Sequence, residues 1–258
     1  RIVWEDPGLY ARALEFTLAQ VEGPGPFEVD FVEGHLVRAF AVPEAADGTR
    51  GEPVDVTEFC GTRRQRWGDR YIAHRAYSPQ VSRVGPPHWR SGMGDNRFAL
   101  VWTPPAPGRY TIVGAVVQTH VGARPNILRA ESTASFLRHC YEPYAKHFPG
   151  ELGRLIGGAF TDEPSPGGAL YPWSEDFPRE FAADHGYDLL AKLPHLALDI
   201  DHRSPAVRHH FRRTQHRLMR THYVAQIADW CRRHGIASCG HLTRTEWLSL
   251  VATWWPNE

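Results

Sequence analysis

One stretch of the chain constrains the fold more than any other: the apolar run Leu155–Phe160, followed directly by Thr161-Asp162-Glu163-Pro164. The run is too short for a helix and has no helical period, so it predicts a buried parallel strand. Pro164 ends the strand because proline has no N–H for the ladder. Asp162 and Glu163 are therefore expected at the strand's carboxyl end, where parallel α/β folds place their chemistry. A carboxylic acid among apolar neighbours there is disposed to a raised pKa and to general-acid catalysis, the alternative being a solvated acidic loop.

The second half of the chain alternates predicted helices with predicted strands. Apolar stripes and end signals predict helices over Ser132–Phe148, Asp176–His185 and Ser204–His234, and a strand over Ile236–Cys239. Gly186 is expected to close the second helix in a left-handed conformation. The alternation predicts the α/β class, and it favours part of a (β/α)₈ TIM-like barrel over a doubly wound sheet. Neither of the glycine-rich nucleotide-binding motifs occurs.

The first half carries shorter signals. Asp6 and Pro7 predict the start of a helix that runs to Leu18. Alternating apolar residues predict strands over Phe27–Phe31, Leu36–Val42, Pro53–Thr57, Phe98–Trp102 and Tyr110–Gln118. The last two are expected to form a hairpin, or a hairpin strand that feeds a core strand.

We therefore expect three parts along the chain. Residues 1–42 would be βα elements of the barrel, residues 43–97 an insertion or lid subdomain containing β structure, and residues 98–258 the barrel units that carry the acidic tetrad. A whole barrel takes about 250 residues by itself. Because the chain opens at Arg1 and ends within a predicted element, we expect a fragment truncated at both ends.

Composition argues against two classes of partner. The 29 basic residues balance 29 acidic ones, so no charge pattern for nucleic acid or an anionic membrane is present. No apolar run approaches the roughly 18 residues of a membrane span. The cysteines have the spacing of neither a zinc site nor a dense disulfide framework and are expected to be buried thiols: Cys60, Cys140, Cys231 and Cys239. The oligomeric state and the compartment stay open, with a periplasmic or extracellular location favoured over a cytoplasmic one.

An ordered set of short blocks resembles a known enzyme group. The blocks are Tyr141-Glu142-Pro143-Tyr144, Gly158–Pro164, Pro172-Trp173, Phe177 with Phe181, His185–Leu190, Leu193-Pro194, Trp230-Cys231, His234-Gly235-Ile236 and Gly240-His241. Together they resemble large bacterial glycoside hydrolases of the α-L-rhamnosidase type, the family 106-like group. The resemblance covers residues 100–246 well and residues 28–57 more weakly.

The resemblance implies a (β/α)₈ catalytic barrel with β-rich accessory domains, and hydrolysis of terminal α-L-rhamnosides or similar sugars. Such hydrolysis uses two carboxyl groups, one to protonate the leaving oxygen and one to activate water or attack carbon. Neighbouring strand residues point to opposite faces, so Asp162 and Glu163 should not both face the barrel axis. The resemblance makes Glu163 the general acid and Asp162 an orienting residue. No cofactor is expected. Calcium is admitted by the resemblance alone, since no calcium-loop spacing occurs.

Four further residues are candidates for the site. Glu246 is the candidate second carboxylate, the alternatives being a solvated helix residue or a base beyond Glu258. His241 would donate to substrate or orient a carboxylate, or it is a capped core histidine. Trp173 is either a sugar-stacking platform or a core tryptophan. His120 could point into a pocket or simply be hydrogen-bonded at a strand end.

Two other functions compete with hydrolysis by paired carboxylates. A non-catalytic carbohydrate-binding homologue would keep the aromatic platform without a complete acid pair. A metal-dependent hydrolase would need at least three converging His, Asp or Glu side chains. No H-E-x-x-H motif occurs, and a wet helix face is favoured over a metal site for the histidine cluster of His202, His209, His210, His216 and His222.

Overall fold

The computed structural model describes residues 9–63, 97–118, 125–162, 164 and 170–241. Contacts within the chain divide it into two compact units. Unit 1 comprises Arg1–Arg12, His120–Ser174 and Arg213–Glu258, and unit 2 comprises Ala13–Thr119 and Glu175–Arg212. No helix in the described ranges is both long enough and apolar enough to cross a membrane.

The strands and helices have the following bounds. The strands are β1 Arg12–Gly23, β2 Phe27–Asp30, β3 His35–Glu44, β4 Val54–Asp55, β5 Cys60–Arg63, β6 Arg97–Trp102, β7 Gly108–Gln118, β8 Gly158–Asp162, β9 Pro172–Trp173 and β10 Ala237–His241. The α-helices are α1 Ala130–Phe136, α2 Glu142–His147, α3 Phe177–His185, α4 Leu193–Ala197, α5 Ser204–Met219 and α6 Ala225–Arg233. Two π-helical segments, Leu137–Tyr141 and Arg220–Val224, join α1 to α2 and α5 to α6, and 3₁₀ turns cover Thr57–Phe59 and Leu190–Lys192.

Unit 2 is built on two antiparallel sheets. Four of its strands lie in the order β4-β3-β7-β1, and three lie in the order β2-β6-β5. Both sheets contribute to one buried apolar cluster, in which Phe31 and Leu100 meet Ile112 and Val116. Trp102 packs edge-on against Tyr110, with 5.1 Å between the ring centroids. The core of unit 2 therefore lies between the inner faces of its two sheets, as in a β-sandwich.

The predicted (β/α)₈ barrel is wrong. Within the described residues, β8 pairs with β10 in parallel. The pairs β1–β7, β3–β7, β3–β4, β2–β6 and β5–β6 are antiparallel and lie in two different sheets. A barrel of this kind needs eight parallel strands that alternate with helices in one closed sheet. The alternation in the second half of the sequence was real, but it yields a two-stranded parallel pair, β8 with β10, with helix α6 packed against β10.

The predicted helix from Pro7 to Leu18 is also wrong over the residues that the structure describes. Residues 12–23 form β1, which pairs with β7 without a break from Ala13 opposite Gln118 to Gly23 opposite Gly108. The apolar residues fit a helical stripe and a strand face equally well. The long ladder with β7 decides for the strand, because packing against neighbours overrides weak local preference.

The predicted hairpin of Phe98–Trp102 with Tyr110–Gln118 does not form. Strand β6 lies between β2 and β5, whereas β7 lies between β3 and β1 in the other sheet. The turn at residues 103–107 therefore carries the chain from one sheet to the other. The alternative prediction for Tyr110–Gln118, a buried core strand, agrees with the burial of β7.

The helices of the second half are confirmed, with differences at their ends. Helix α3 ends at His185, and Gly186 takes a left-handed φ of 76° while its N–H donates to the carbonyl of Ala182. Pro194 lies in the first turn of α4, where a missing N–H costs nothing. The long helix over residues 204–233 is interrupted by the π-helical segment Arg220–Val224.

Candidate functional site

The site lies at the paired carboxyl ends of β8 and β10 in unit 1. The two strands are parallel and in register from Gly158 opposite Ala237 to Asp162 opposite His241. They therefore end together, and the last side chains of both strands come into contact. Asp162 Oδ1 lies 3.5 Å from His241 Nδ1, and the two side chains are 73% and 69% exposed. A carboxylate and an imidazole thus face solvent side by side.

Phe160 lies on the same open face of the strand pair. Its ring meets that of His241 edge to face, with centroids 5.1 Å apart and planes at 87°. Exposure alternates along β8, so that Phe160 and Asp162 point outward while Ala159 and Thr161 are half-buried. The prediction that this strand is buried is therefore wrong, since Phe160 is 58% exposed. The strand also begins later than predicted, at Gly158 rather than Leu155. Its parallel pairing and its acidic end are confirmed.

The inner face of β8 meets two tyrosines. Tyr141 and Tyr223 lie near Thr161, which is on the half-buried face of β8. Burial raises the pKa of Tyr223 to about 12 and also raises the pKa of Tyr141, so both phenols are neutral at physiological pH. Each tyrosine belongs to one of the two π-helical segments.

A tryptophan holds Tyr141 from the other side. The Trp230 and Tyr141 rings are edge to face at 5.0 Å and 88°. Trp230 Nε1 donates to Glu142 Oε1 over 2.7 Å, and the ring of His234 stacks on the indole at 3.8 Å. Trp230 is buried, and its polar N–H is satisfied, so its ring gives Tyr141 a fixed surface to pack on.

Gly240 allows the two strands to approach at this point. It lies opposite Thr161 and has a φ of +156°. A Cβ atom built on Gly240 would lie 1.9 Å from the carbonyl oxygen of Thr161. The absence of a side chain is therefore a steric requirement for the contact between β8 and β10.

The structure brings together two of the six predicted site residues, Asp162 and His241. Trp173 lies in β9 and is 5% exposed, and its carbonyl accepts a hydrogen bond from Asn126 Nδ2 over 2.9 Å. This burial favours a core tryptophan over a sugar platform. The other three predicted residues, Glu163, Glu246 and His120, lie outside the described residues.

The predicted histidine cluster does not converge on one point. His210 Nδ1 forms a hydrogen bond with the Tyr187 hydroxyl at 3.0 Å. His222 Nδ1 lies 2.7 Å from the carbonyl oxygen of Leu128. Within the described ranges, no three His, Cys, Asp or Glu side chains are placed to hold a metal ion. The four cysteines are free thiols, but the prediction that they are buried holds for Cys231 alone, since Cys60 and Cys140 are half-buried and Cys239 is exposed.

Sequence reasoning missed the residues behind the strand end. Tyr141 entered only as part of the block Tyr141-Glu142-Pro143-Tyr144, and Tyr223 received no role. The available signal was an aromatic residue near the middle of each long predicted helix. Both tyrosines lie in π-helical segments, which interrupt helices that the sequence predicted as continuous.

No family model matches this chain, and no curated protein matches it. The similarity to the α-L-rhamnosidase type therefore rests on the short sequence blocks alone.

Proposed function

We propose that this protein hydrolyses glycosidic bonds by carboxylate general acid/base catalysis, with terminal α-L-rhamnosides or similar sugars as the first candidate substrates. The observation that carries the proposal is the meeting of Asp162 and His241 at the shared carboxyl ends of β8 and β10. Glu163 follows Asp162 directly in the sequence. The proposal depends on this strand pair and no longer on a barrel.

The chemistry of the two described side chains suits an orienting role. A carboxylate accepts hydrogen bonds only, and an imidazole can donate from one nitrogen while it accepts at the other. Asp162 beside Nδ1 favours the form of His241 that carries a proton there, which leaves Nε2 for a sugar hydroxyl. Glu163 then has the role of proton donor to the leaving oxygen, as the resemblance implies.

The exposed ring of Phe160 adds a surface of the kind that sugars pack on. It lies beside His241 on the open face, so an apolar sugar face could stack on the ring while hydroxyls reach Asp162 and His241. This arrangement would serve binding as well as hydrolysis. It is the observation that keeps a non-catalytic carbohydrate-binding protein as the second candidate.

Hydrolysis is tested with a panel of aryl glycosides that includes α-L-rhamnosides. Wild type should release the aryl group, and Asp162→Asn should lower kcat/KM about tenfold to a hundredfold because the substrate or its partner loses orientation. Asp229→Asn is the matched control, since it also removes one charge of an exposed pair, here with Arg232 at 2.6 Å. An exposed pair stabilises by only about 0–1 kcal/mol, so both variants should melt like wild type.

Three outcomes separate the candidates. Turnover that Asp162→Asn reduces and Asp229→Asn leaves unchanged supports the proposal. Sugar binding without turnover by wild type, measured by calorimetry on the same panel, supports the binding protein instead. Equal turnover by wild type and Asp162→Asn removes the Asp162–His241 pair from the mechanism. The anomer released first, followed by NMR, distinguishes retention from inversion.

A further inference from the structure

We infer that the corner between α4 and α5, residues 195–204, is a pH-dependent switch, which is closed while His195 is neutral and opens when His195 takes up a proton. This α4–α5 corner belongs to unit 2, whereas the strand ends proposed to carry catalysis belong to unit 1, so the inference does not depend on the proposed function. It rests on the hydrogen bonds and the burial of His195 and Ser204.

The Ser204 hydroxyl determines which nitrogen of His195 carries the ring proton. Ser204 Oγ accepts hydrogen bonds from the backbone N–H groups of Ile200 at 3.0 Å and Asp201 at 3.4 Å, and it lies 3.0 Å from His195 Nδ1. A hydroxyl group donates one hydrogen bond and accepts two. Because the two backbone groups take both acceptor positions, Ser204 donates to Nδ1, and neutral His195 carries its proton on Nε2.

The Nε2 atom of His195 lies where a positive charge would have no compensation. The His195 side chain is 1% exposed, and Nε2 is buried without a hydrogen-bond partner in the part of the chain that the structure describes. Burial of a neutral N–H group without an acceptor is unfavourable, and burial of a charged one is far more unfavourable. The closed corner therefore accommodates the neutral ring and disfavours the protonated one.

A second ring proton also conflicts with the hydrogen bonds of Ser204. Nδ1 would then be a donor, and Ser204 Oγ would face three donors with two acceptor positions, so one hydrogen bond of the corner is lost. The Asp201 carboxylate lies 3.7 Å from Nδ1, but it already accepts from the Arg203 side chain over 2.7 Å and from the Arg203 N–H over 2.8 Å. Proton uptake therefore favours an open corner in which water reaches both ring nitrogens.

The charged groups around His195 leave this preference in place. Burial is the main cause that lowers the pKa of His195; the charges of Lys192 and Arg203 lower it further, and those of Asp201 and Glu52 oppose the shift. The hydrogen bond from Arg203 lowers the pKa of Asp201 to about 2, so that carboxylate stays charged in mildly acidic solution. The closed corner is therefore favoured above about pH 6.5, the pKa of histidine in an open chain, and the preference is lost as pH falls below that value.

The other elements packed against α4 supply no acceptor to Nε2. From α5, Arg208 Nη1 donates to the His195 carbonyl over 3.0 Å, and its Nη2 donates to Asp199 over 2.6 Å. The titratable side chains of β7, against which α4 packs, are Arg109 and Tyr110, and both are bonded to other residues of unit 2.

Opening of the corner should also release the chain segment that follows β3. Arg203 Nη2 lies 3.3 Å from the Glu52 carboxylate, and Arg50 Nη1 donates to the carbonyl of Asp199 over 3.1 Å. Arg50 is in turn paired with Glu44, the last residue of β3, with 3.0 Å between Nε and Oε1. Residues 44–52 should therefore lose protection from exchange together with the corner.

The test is hydrogen–deuterium exchange read by mass spectrometry at pH 7.5, pH 6.5 and pH 5, expressed as protection factors that correct for the pH dependence of intrinsic exchange. In wild type, protection of residues 195–204 should fall below about pH 6.5 by up to roughly tenfold per pH unit, because each opening takes up one proton. The total loss at pH 5 is then at most about 30-fold. The β1–β7 ladder should keep its protection.

His195→Asn and His202→Asn form a matched pair of variants. Asparagine places an amide oxygen near the position of Nδ1, where it can accept from Ser204, and it does not titrate in this range. His202 is an exposed histidine of the same corner. Protection of the corner should not depend on pH in His195→Asn, whereas His202→Asn should lose protection as wild type does.

Side-chain nitrogen NMR of wild type tests the inference without a substitution, and it decides the question if His195→Asn does not fold. At pH 7.5 the proton of His195 should be on Nε2, and a proton on Nδ1 instead would overturn the inference. Equal protection of the corner at pH 7.5 and pH 5 in wild type would overturn it as well, and so would an unchanged pH dependence in His195→Asn.

Discussion

Substitution of Gly240 by alanine should open the site without touching a polar side chain. The new Cβ would lie 1.9 Å from the carbonyl oxygen of Thr161, whereas real Cβ atoms essentially never approach closer than 3.0 Å. The strands must therefore separate by at least 1.1 Å, the difference between these distances. A ladder hydrogen bond of ordinary length stretched by that amount is lost.

The free energy that Gly240→Ala costs the strand pair has two contributions, overpacking and lost hydrogen bonds. Overpacking typically destabilises by about 1–3 kcal/mol, and each lost hydrogen bond contributes roughly 1 kcal/mol. A total of about 2–4 kcal/mol falls on a two-stranded ladder at its end, so we expect local opening. Amide exchange at residues 158–162 and 237–241 should then accelerate about 30-fold to 700-fold, because about 1.4 kcal/mol corresponds to a factor of ten.

Hydrogen–deuterium exchange read by mass spectrometry measures this effect peptide by peptide. Gly157→Ala is the control, since a Cβ at Gly157 meets nothing within 4 Å and the residue directly precedes β8, the partner strand of β10. Exchange in Gly240→Ala that stays within threefold of wild type would refute the argument that close contact between β8 and β10 needs a glycine. The glycosidase activity proposed above should fall in Gly240→Ala together with the protection of the β8 and β10 amides from exchange.

Two further predictions concern unit 2. Gly114→Ala should lower the free energy of unfolding in urea by about 1–3 kcal/mol, because the new Cβ would lie 2.5 Å from the Phe31 ring. The control Gly61→Ala should stay within roughly 0.5 kcal/mol of wild type, since a Cβ there meets nothing within 4 Å. Equal urea midpoints for the two variants would contradict the packing argument. His195 is fully buried, and its Nδ1 lies 3.0 Å from Ser204 Oγ. Burial lowers the pKa of His195, although the charge of Asp201 opposes the shift. The stability that neutral His195 contributes is therefore fully present above the pKa of about 6.5 that histidine has in the unfolded chain, and it is lost as pH falls below that value. Urea midpoints from pH 7 to pH 5 should fall less steeply in His195→Leu than in wild type, and parallel pH profiles would exclude His195 as the cause.

Local sequence signals predicted the parts of this fold that local forces decide. Gly186 closes α3 because a left-handed residue is needed there, and Pro164 follows a strand that it cannot extend. These residues carry their own geometry, so the sequence around them was sufficient. Asp162 was expected at the end of a strand and lies at the end of β8, whereas its contact with His241 depends on the register of β8 with the distant β10 and was not predicted.

The remaining features depend on distant residues. The register of β1 is set by β7, about 90 residues later, and no local pattern around Phe16 distinguishes a strand from a helix. The burial of Trp173 depends on its neighbours in the fold, including Asn126, whose amide donates to its carbonyl. The π-helical segments Leu137–Tyr141 and Arg220–Val224 lie inside helices that the sequence predicted as continuous.

The central claim is that Glu163 delivers a proton to a leaving sugar oxygen, and its most direct test is the dependence of turnover on the leaving group. Wild type and Glu163→Gln are compared on a series of aryl α-L-rhamnosides that runs from a poor leaving group to dinitrophenolate. Glutamine keeps the shape but has no proton to give, so we expect a loss of about 10²-fold or more on poor leaving groups and near-wild-type rates on dinitrophenolate, which needs no proton. Equal rates for the two proteins across the whole series would contradict the account.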